Sequence, residues 1–174
     1  MRKPAGVLRK ELTDFLPCVR RFAYSLTGSR ADADDLLQAT VERVLEKGAP
    51  DDADLRKWSY RICKNLWIDE IRSRRVRTGA VAEGKIDAED RVDGERAVLG
   101  SISLAEVNRA MGRLPDDQRA ALSLVAIEGL SYAEAAEALD IPIGTIMSRI
   151  SRARAALAAM FAAPAALNAE GGRR

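Results

Sequence analysis

Thr145, Ser148, Arg149, Ser151 and Arg152 are hydroxyl and guanidinium side chains set along a stretch whose apolar residues Ile143, Ile146, Ile150, Ala153 and Leu157 repeat with a helical period. On a wheel of about 100° per residue that stripe faces inward, Gly144, Ser148, Ser151, Arg152 and Ala155 stand opposite it, and Thr145, Arg149 and Arg154 flank it. From Ile141 to Leu157 there are three arginines and no acid. A small, hydroxylated, positive face suits a helix laid in a DNA groove, where Arg reads guanine edges or clamps phosphate and short hydroxyl side chains let the backbone approach. The chemistry on offer is recognition, not bond making.

The elements that must position this face are legible just upstream. Ser131 followed three residues later by Glu134 is a capping box, so a helix starts there, with Ala135, Ala136 and Leu139 as its packable inner face. Asp140, Ile141 and Pro142 interrupt the period, because Pro lacks an N–H and pushes the preceding residue out of the helical region. Two short helices with a tight turn and a basic outer face on the second form a helix-turn-helix. The bland alternative is an Ala-rich helical hairpin with solvated arginines.

Composition narrows the rest. The chain has 174 residues, 47% hydrophobic and 5% aromatic, which favours a helical soluble protein of one domain or two small ones. No apolar run approaches the ~20 residues that span a bilayer, and the start MRKPAGVLRKEL lacks a signal peptide's apolar middle, so no membrane insertion and a cytoplasmic location are expected. The two cysteines, Cys18 and Cys63, form no CxxC pair, and there is no histidine. No cofactor or metal is expected, and without a phosphate loop, nucleophile elbow or the commonest general base, neither is an enzyme.

Net charge is only +2, but its distribution is uneven. Residues 56–77 hold eight Lys or Arg and two acids, residues 79–101 three basic and six acidic residues. Two basic segments split by an acidic one imply two anion-binding surfaces.

Taken in order, Leu8, Leu12, Phe15, Leu16, Val19, Phe22, Ala23 and Leu26 predict a helix, with Pro17 at a break or first turn and Gly28 as the stop. Ser29 with Asp32 caps a second helix reaching about Lys47, its outer side carrying Asp34, Asp35, Gln38, Glu42 and Glu46. That face either is solvated or docks a basic partner. A third helix runs from about Leu55 to Arg74 with Leu55, Trp58, Ile62, Cys63 and Leu66 as its core stripe. Trp58, at a core spacing, is expected to pack rather than serve as a base-stacking platform, while Trp67 either packs or stacks on a base. Residues 77–100 lose periodicity and gather glycines, the pattern of a flexible linker. Beyond it Ile102, Leu104, Val107 and Met111 predict one helix, and Pro115 opens another carrying Ala121, Leu122, Leu124, Val125 and Ile127 up to Gly129. The fold class expected is all-α, two small helical domains joined by a flexible linker, the C-terminal one containing the helix-turn-helix.

Three segments, RADADDLLQATVERVLEK, LRKWSYRICKNLWIDEIRSRR and LPDDQRAALSLVAIEGLSYAEAAEALDIPIGTIMSRISRARAAL, together resemble the extracytoplasmic-function sigma factors, the small members of the sigma-70 family of bacterial transcription initiation factors. The resemblance implies a region 2-like domain over 1–78, an acidic linker over 79–101 and a region 4-like domain over 102–161; the tail over 162–174, longer and more Ala-rich than the motif requires, is expected from its residues to be disordered. It implies that Asp35, Gln38 and Glu42 dock on the clamp helices of the largest subunit of core RNA polymerase. It implies that Asn65, Asp69, Arg72 and Arg75 hold the promoter's −10 element, including an unstacked base, and that Thr145, Ser148, Arg149, Ser151 and Arg152 enter the −35 element. The linker matches the segment that threads polymerase's template and RNA channel, and an anti-sigma factor is implied as a further partner. The short acidic loop between Gly48 and Leu55 does not strongly mark a −10-reading element. Two rival readings are a helix-turn-helix regulator that binds duplex DNA without polymerase, and a sigma-like decoy that binds an anti-sigma factor.

Overall fold

The computed structural model describes residues 5–79 and 102–162. Nearly all of the acidic segment expected as a linker, and the tail beyond residue 162, lie outside the described residues. Three long helices come first: α1 (Ala5–Thr27), α2 (Arg30–Lys47) and α3 (Leu55–Arg77). Three short ones, α4 (Leu104–Gly112), α5 (Asp116–Leu122) and α6 (Tyr132–Leu139), and a long α7 (Ile143–Ala162) follow, with a π-helical turn at Ser123–Ile127 continuing α5.

The local signals act where the sequence puts them. Ser29 Oγ accepts the Asp32 N–H to start α2, and Asp54 Oδ1 accepts the N–H groups of Arg56 and Lys57 to start α3. Ser103 with Glu106 and Ser131 with Glu134 form reciprocal capping boxes on α4 and α6. Each satisfies backbone donors that a helix start leaves unpaired. Gly28 takes φ +72, so the turn between α1 and α2 favours glycine. Pro17 neither breaks nor starts a helix. It sits exposed inside α1, where the one lost hydrogen bond at a solvent-facing turn is outweighed by the buried stripe Leu8, Leu12, Val19, Phe22 and Leu26 on both sides of it. Burying each such side chain contributes roughly 1.5–3 kcal/mol.

A smaller apolar cluster, Leu8, Leu12, Val44, Ala49, Leu55 and Ile62, lies wholly within α1–α3. The larger one runs from Val19, Phe22, Tyr60, Cys63 and Trp67 into Leu122, Leu124, Leu139, Ile146 and Ile150. The N- and C-terminal helices therefore share a core. Phe22 and Tyr60 meet edge to face at its centre, 5.1 Å between centroids. Cys63 is buried, its thiol pushed up to about 12 by desolvation, which makes it an inert packing group.

Several apolar residues of the expected helical patterns are exposed. Ile102, Leu104 and Val107 face outward and only Ala110 and Met111 of α4 are buried, because a nine-residue helix offers one turn to the core. Ile127 is exposed at the end of the π turn, where the change of pitch rotates it off the α5 stripe. Ile143 is also exposed, since α7 begins there, a turn short of the packed residues Ile146, Ile150 and Ala153.

Candidate nucleic-acid interface

The helix-turn-helix is built from α6 and α7. Asp140 ends α6 in the left-handed region at φ 58, a conformation Asp tolerates through its short polar side chain, and Pro142 then launches α7. On α7, Gly144, Ser148, Ser151, Arg152, Arg154 and Ala155 are exposed while Ile146, Ile150 and Ala153 are buried. Of the five residues expected to meet DNA, Ser148, Ser151 and Arg152 stand on the open face. Thr145 is half-buried, and Arg149 turns back so that its Nη2 lies 3.2 Å from Asp117 Oδ2 of α5.

A second basic surface lies on α3. Trp58, Arg61, Asn65, Asp69 and Arg72 fall along one row by the 3.6 period, a strip about 20 Å long. At its head Lys47, Gly48, Pro50, Trp58, Arg61, Ile62 and Asn65 line a pocket of about 420 Å³. The Arg61 guanidinium lies 5.7 Å from the centre of the Trp58 ring, and the buried indole Nε1 of Trp58 has no hydrogen-bond partner. A flat ring and a cation beside a hollow can take a planar guest. Arg75, the fourth residue expected here, lies off the row and donates to Asp116 across 3.3 Å. On α2, Asp35, Gln38 and Glu42 are exposed together, with Gln38 Nε2 donating to Glu42 Oε1 at 3.2 Å. Asp34 is held apart by Arg20, which keeps its carboxyl below the usual range.

Residues 12–77 match the family model of sigma-70 region 2, and residues 104–157 that of sigma-70 region 4. The ECF RNA polymerase sigma factor EcfG of Rhodopseudomonas palustris is 35% identical over 156 residues, covering 88% of this chain and 84% of that protein. The chain belongs to the ECF sigma factors. Among solved structures, the sigma factor RpoE of Bartonella quintana in complex with the anti-sigma factor NepR superposes with a TM-score of 0.68 at 32% identity, covering 86% of this chain and 92% of that one. CnrH in complex with the cytosolic domain of CnrY gives 0.62 at 26% identity, covering 90% and 88%.

In this sigma factor the two basic surfaces are tied together. Lys57 Nζ donates to Glu137 Oε2 at 2.6 Å, and Arg61 donates to the backbone carbonyls of Glu137 and Ala138 and lies 3.6 Å from Asp140. Arg61 thus lines the α3 pocket and caps the carbonyl end of α6 at once. Glu128, beside the π turn, carries a side chain with no exposure and accepts from Arg21, and from the Tyr60 hydroxyl at 2.9 Å. Burial raises the Tyr60 pKa, so the phenol stays a donor. Arg119, 2% exposed, gives its Nε to the Ser25 carbonyl at 2.7 Å and lies 5.8 Å from the Trp67 ring centre. Desolvation lowers its pKa to about 10. Trp67 is accordingly a packing residue in the seam.

The pocket residues Lys47, Gly48, Pro50, Trp58 and Arg61 were not among the sequence candidates. Trp58 was expected to pack, and it does touch the smaller core with part of its surface. The usable signal was its spacing to Arg61 and Asn65 on one helix row, facing the Gly48–Pro50 turn.

Proposed function

We propose that this sigma factor reads a promoter at two places on one chain and carries core RNA polymerase to it. Residues 102–161, the region 4-like domain, engage the −35 element as duplex through Ser148, Ser151 and Arg152, with Thr145 and Arg149 at the edge of the contact. Residues 1–78, the region 2-like domain, hold the melted −10 strand along Asn65, Asp69 and Arg72, and an unstacked base enters the pocket at Trp58 and Arg61. The observation that carries this reading is the pairing, on one chain, of an acid-free exposed recognition helix with a row on α3 headed by the Trp58–Arg61 pair.

Asp35, Gln38 and Glu42 dock on the clamp helices of polymerase's largest subunit, their acidic and amide face matching a basic surface. The acidic segment 79–101 follows polymerase's template and RNA channel. An anti-sigma factor covers these surfaces when the factor is silent, as NepR and CnrY are bound by the similar proteins. The factor works in the cytoplasm, binds no cofactor and forms no bond itself. Strand binding on α3 exchanges acids for phosphates, since Glu137, Asp140 and Asp116 pair with Lys57, Arg61 and Arg75.

Transcription in vitro from a genomic fragment library, with core polymerase and with or without this protein, tests the reading. Transcripts that depend on the protein and share a two-part upstream sequence are expected. Binding to core with no transcript favours a decoy, and duplex binding without core favours an ordinary regulator.

A further inference from the structure

The exposed side of α7 carries two large apolar side chains among its polar groups. Met147 is 52% exposed and Ile143 49%, at i and i+4 on one flank of the helix. The opposite flank is the one Asp117 ties down through Arg149. Around them stand Gly144, Ser148, Ser151 and Arg154, all exposed, and no residue of α7 is acidic. A surface that is positive, small-featured and locally apolar fits an anionic partner that presents isolated apolar groups. Along the major-groove edges of B-DNA the one such group is the thymine C5-methyl.

We propose that Met147 and Ile143 are specificity residues of the −35 contact, each packing on a thymine methyl group. The inference rests on the −35 reading of α7 given above. Four residues along a helix advance about 6 Å, close to two base-pair steps of about 3.4 Å, so the two thymines stand about two base pairs apart. Arg152 and the serines then supply polar and phosphate contacts, and the apolar pair reads T against C at positions where hydrogen bonding alone does not account for the choice.

The test replaces single thymines by deoxyuridine, which removes only the methyl group, across the upstream element of a promoter obtained from the library experiment. Binding of the polymerase holoenzyme carrying the full-length factor is measured for each duplex. With the native factor, uracil at two positions weakens binding about three- to fivefold each, the factor expected for one buried carbon. M147A abolishes the penalty at one position and I143A at the other, while M147L keeps it. Both residues are exposed, so the variants fold, and the unaffected uracil position in each serves as internal control. Methyl penalties identical in native and M147A factors, or absent throughout while the element is still bound, overturn the inference alone. Failure of the native holoenzyme to distinguish the upstream element from random duplex overturns the −35 reading and this inference with it.

Discussion

Arg21 and Glu128, 107 residues apart, close a bidentate pair: Arg21 Nε lies 2.7 Å and Nη2 2.9 Å from the two oxygens of Glu128. The carboxylate is wholly buried, the guanidinium half exposed, and the Tyr60 hydroxyl completes the site. E128A strips all three hydrogen bonds and leaves the buried Tyr60 hydroxyl without an acceptor, its remaining partner being the Arg56 Nε donor at 3.1 Å. Discounting the buried-pair cost for the exposure of Arg21, a loss of about 2 kcal/mol is expected, against about 1 kcal/mol for Y60F. Urea unfolding of the full chain measures both. E128A is also expected to lengthen the distance between labels on α2 and α7, and Y60F is not.

Trp58 gives a prediction with opposite signs for stability and binding. W58F removes the unsatisfied Nε1 donor and keeps an aromatic face beside Arg61. A buried donor without a partner costs about 1–3 kcal/mol, so the urea midpoint is held or raised. Binding of a −10 single strand by the holoenzyme falls about three- to fivefold, because the smaller ring gives a base less stacking area beside Arg61. A fall in stability with unchanged strand binding would return Trp58 to a packing role.

The helices, caps and turns were legible because each is decided within a few residues. Ser29, Ser131 with Glu134, Gly28 and the interruption at Asp140 to Pro142 all act locally. The buried faces of α2 and of the central part of α7 followed from period alone. What period does not carry is which helix lies against which. Glu128, Arg119 and Lys57 find partners 68 to 107 residues away, and such pairings leave no spacing in the sequence. The same holds for Trp67, covered by Arg119, and for the pocket, assembled from the turn after α2 and the first half of α3. The inward placing of Ile143 failed at a helix beginning, where the period continues but the packing partner does not.

Acids of the C-terminal helices stand where −10 phosphates are proposed to bind. Lys57 pairs with Glu137, and its pKa is raised chiefly by that hydrogen bond; Arg75 pairs with Asp116. The double variant E137Q/D116N removes two competitors without touching α3. Affinity for a −10 single strand is expected to rise about two- to fivefold, a modest factor because each pair has one largely exposed partner. An unchanged affinity in fluorescence titrations would show that the strand does not use these cations.

Arg149 and Arg152 differ in freedom, and so in their expected effects. Arg152 is exposed, whereas Arg149 is anchored to Asp117. R152A should lower −35-dependent transcription about ten- to a hundredfold, the range for loss of a good bidentate base contact, with polymerase affinity unchanged. R149A should cost less in transcription and remove a tie between α5 and α7. Conversely, D35A/Q38A should weaken binding to core polymerase and leave recognition of the −35 sequence intact, since α2 carries no part of the helix-turn-helix.

Glu134 couples the helix-turn-helix to acid. Its carboxylate accepts the Ser131 N–H at 2.8 Å while Ser131 Oγ accepts the Glu134 N–H at 3.2 Å. The bond from the Ser131 backbone N–H, with the Ser131 side chain second, lowers the carboxyl pKa below its ordinary value. A carboxylate depressed in the folded state stabilises it fully above the unfolded value of about 4.3 and loses that contribution as pH falls through the folded value. E134Q keeps an acceptor oxygen but cannot titrate. The difference in urea midpoint between native and E134Q chains should therefore be largest near neutral pH and shrink toward zero below about pH 4. S131A, which removes the other half of the box, should cost about 1 kcal/mol at all pH values. A native-minus-E134Q difference that stays constant from pH 7 to pH 3.5 would show that the Ser131–Glu134 bond does not depend on the charge.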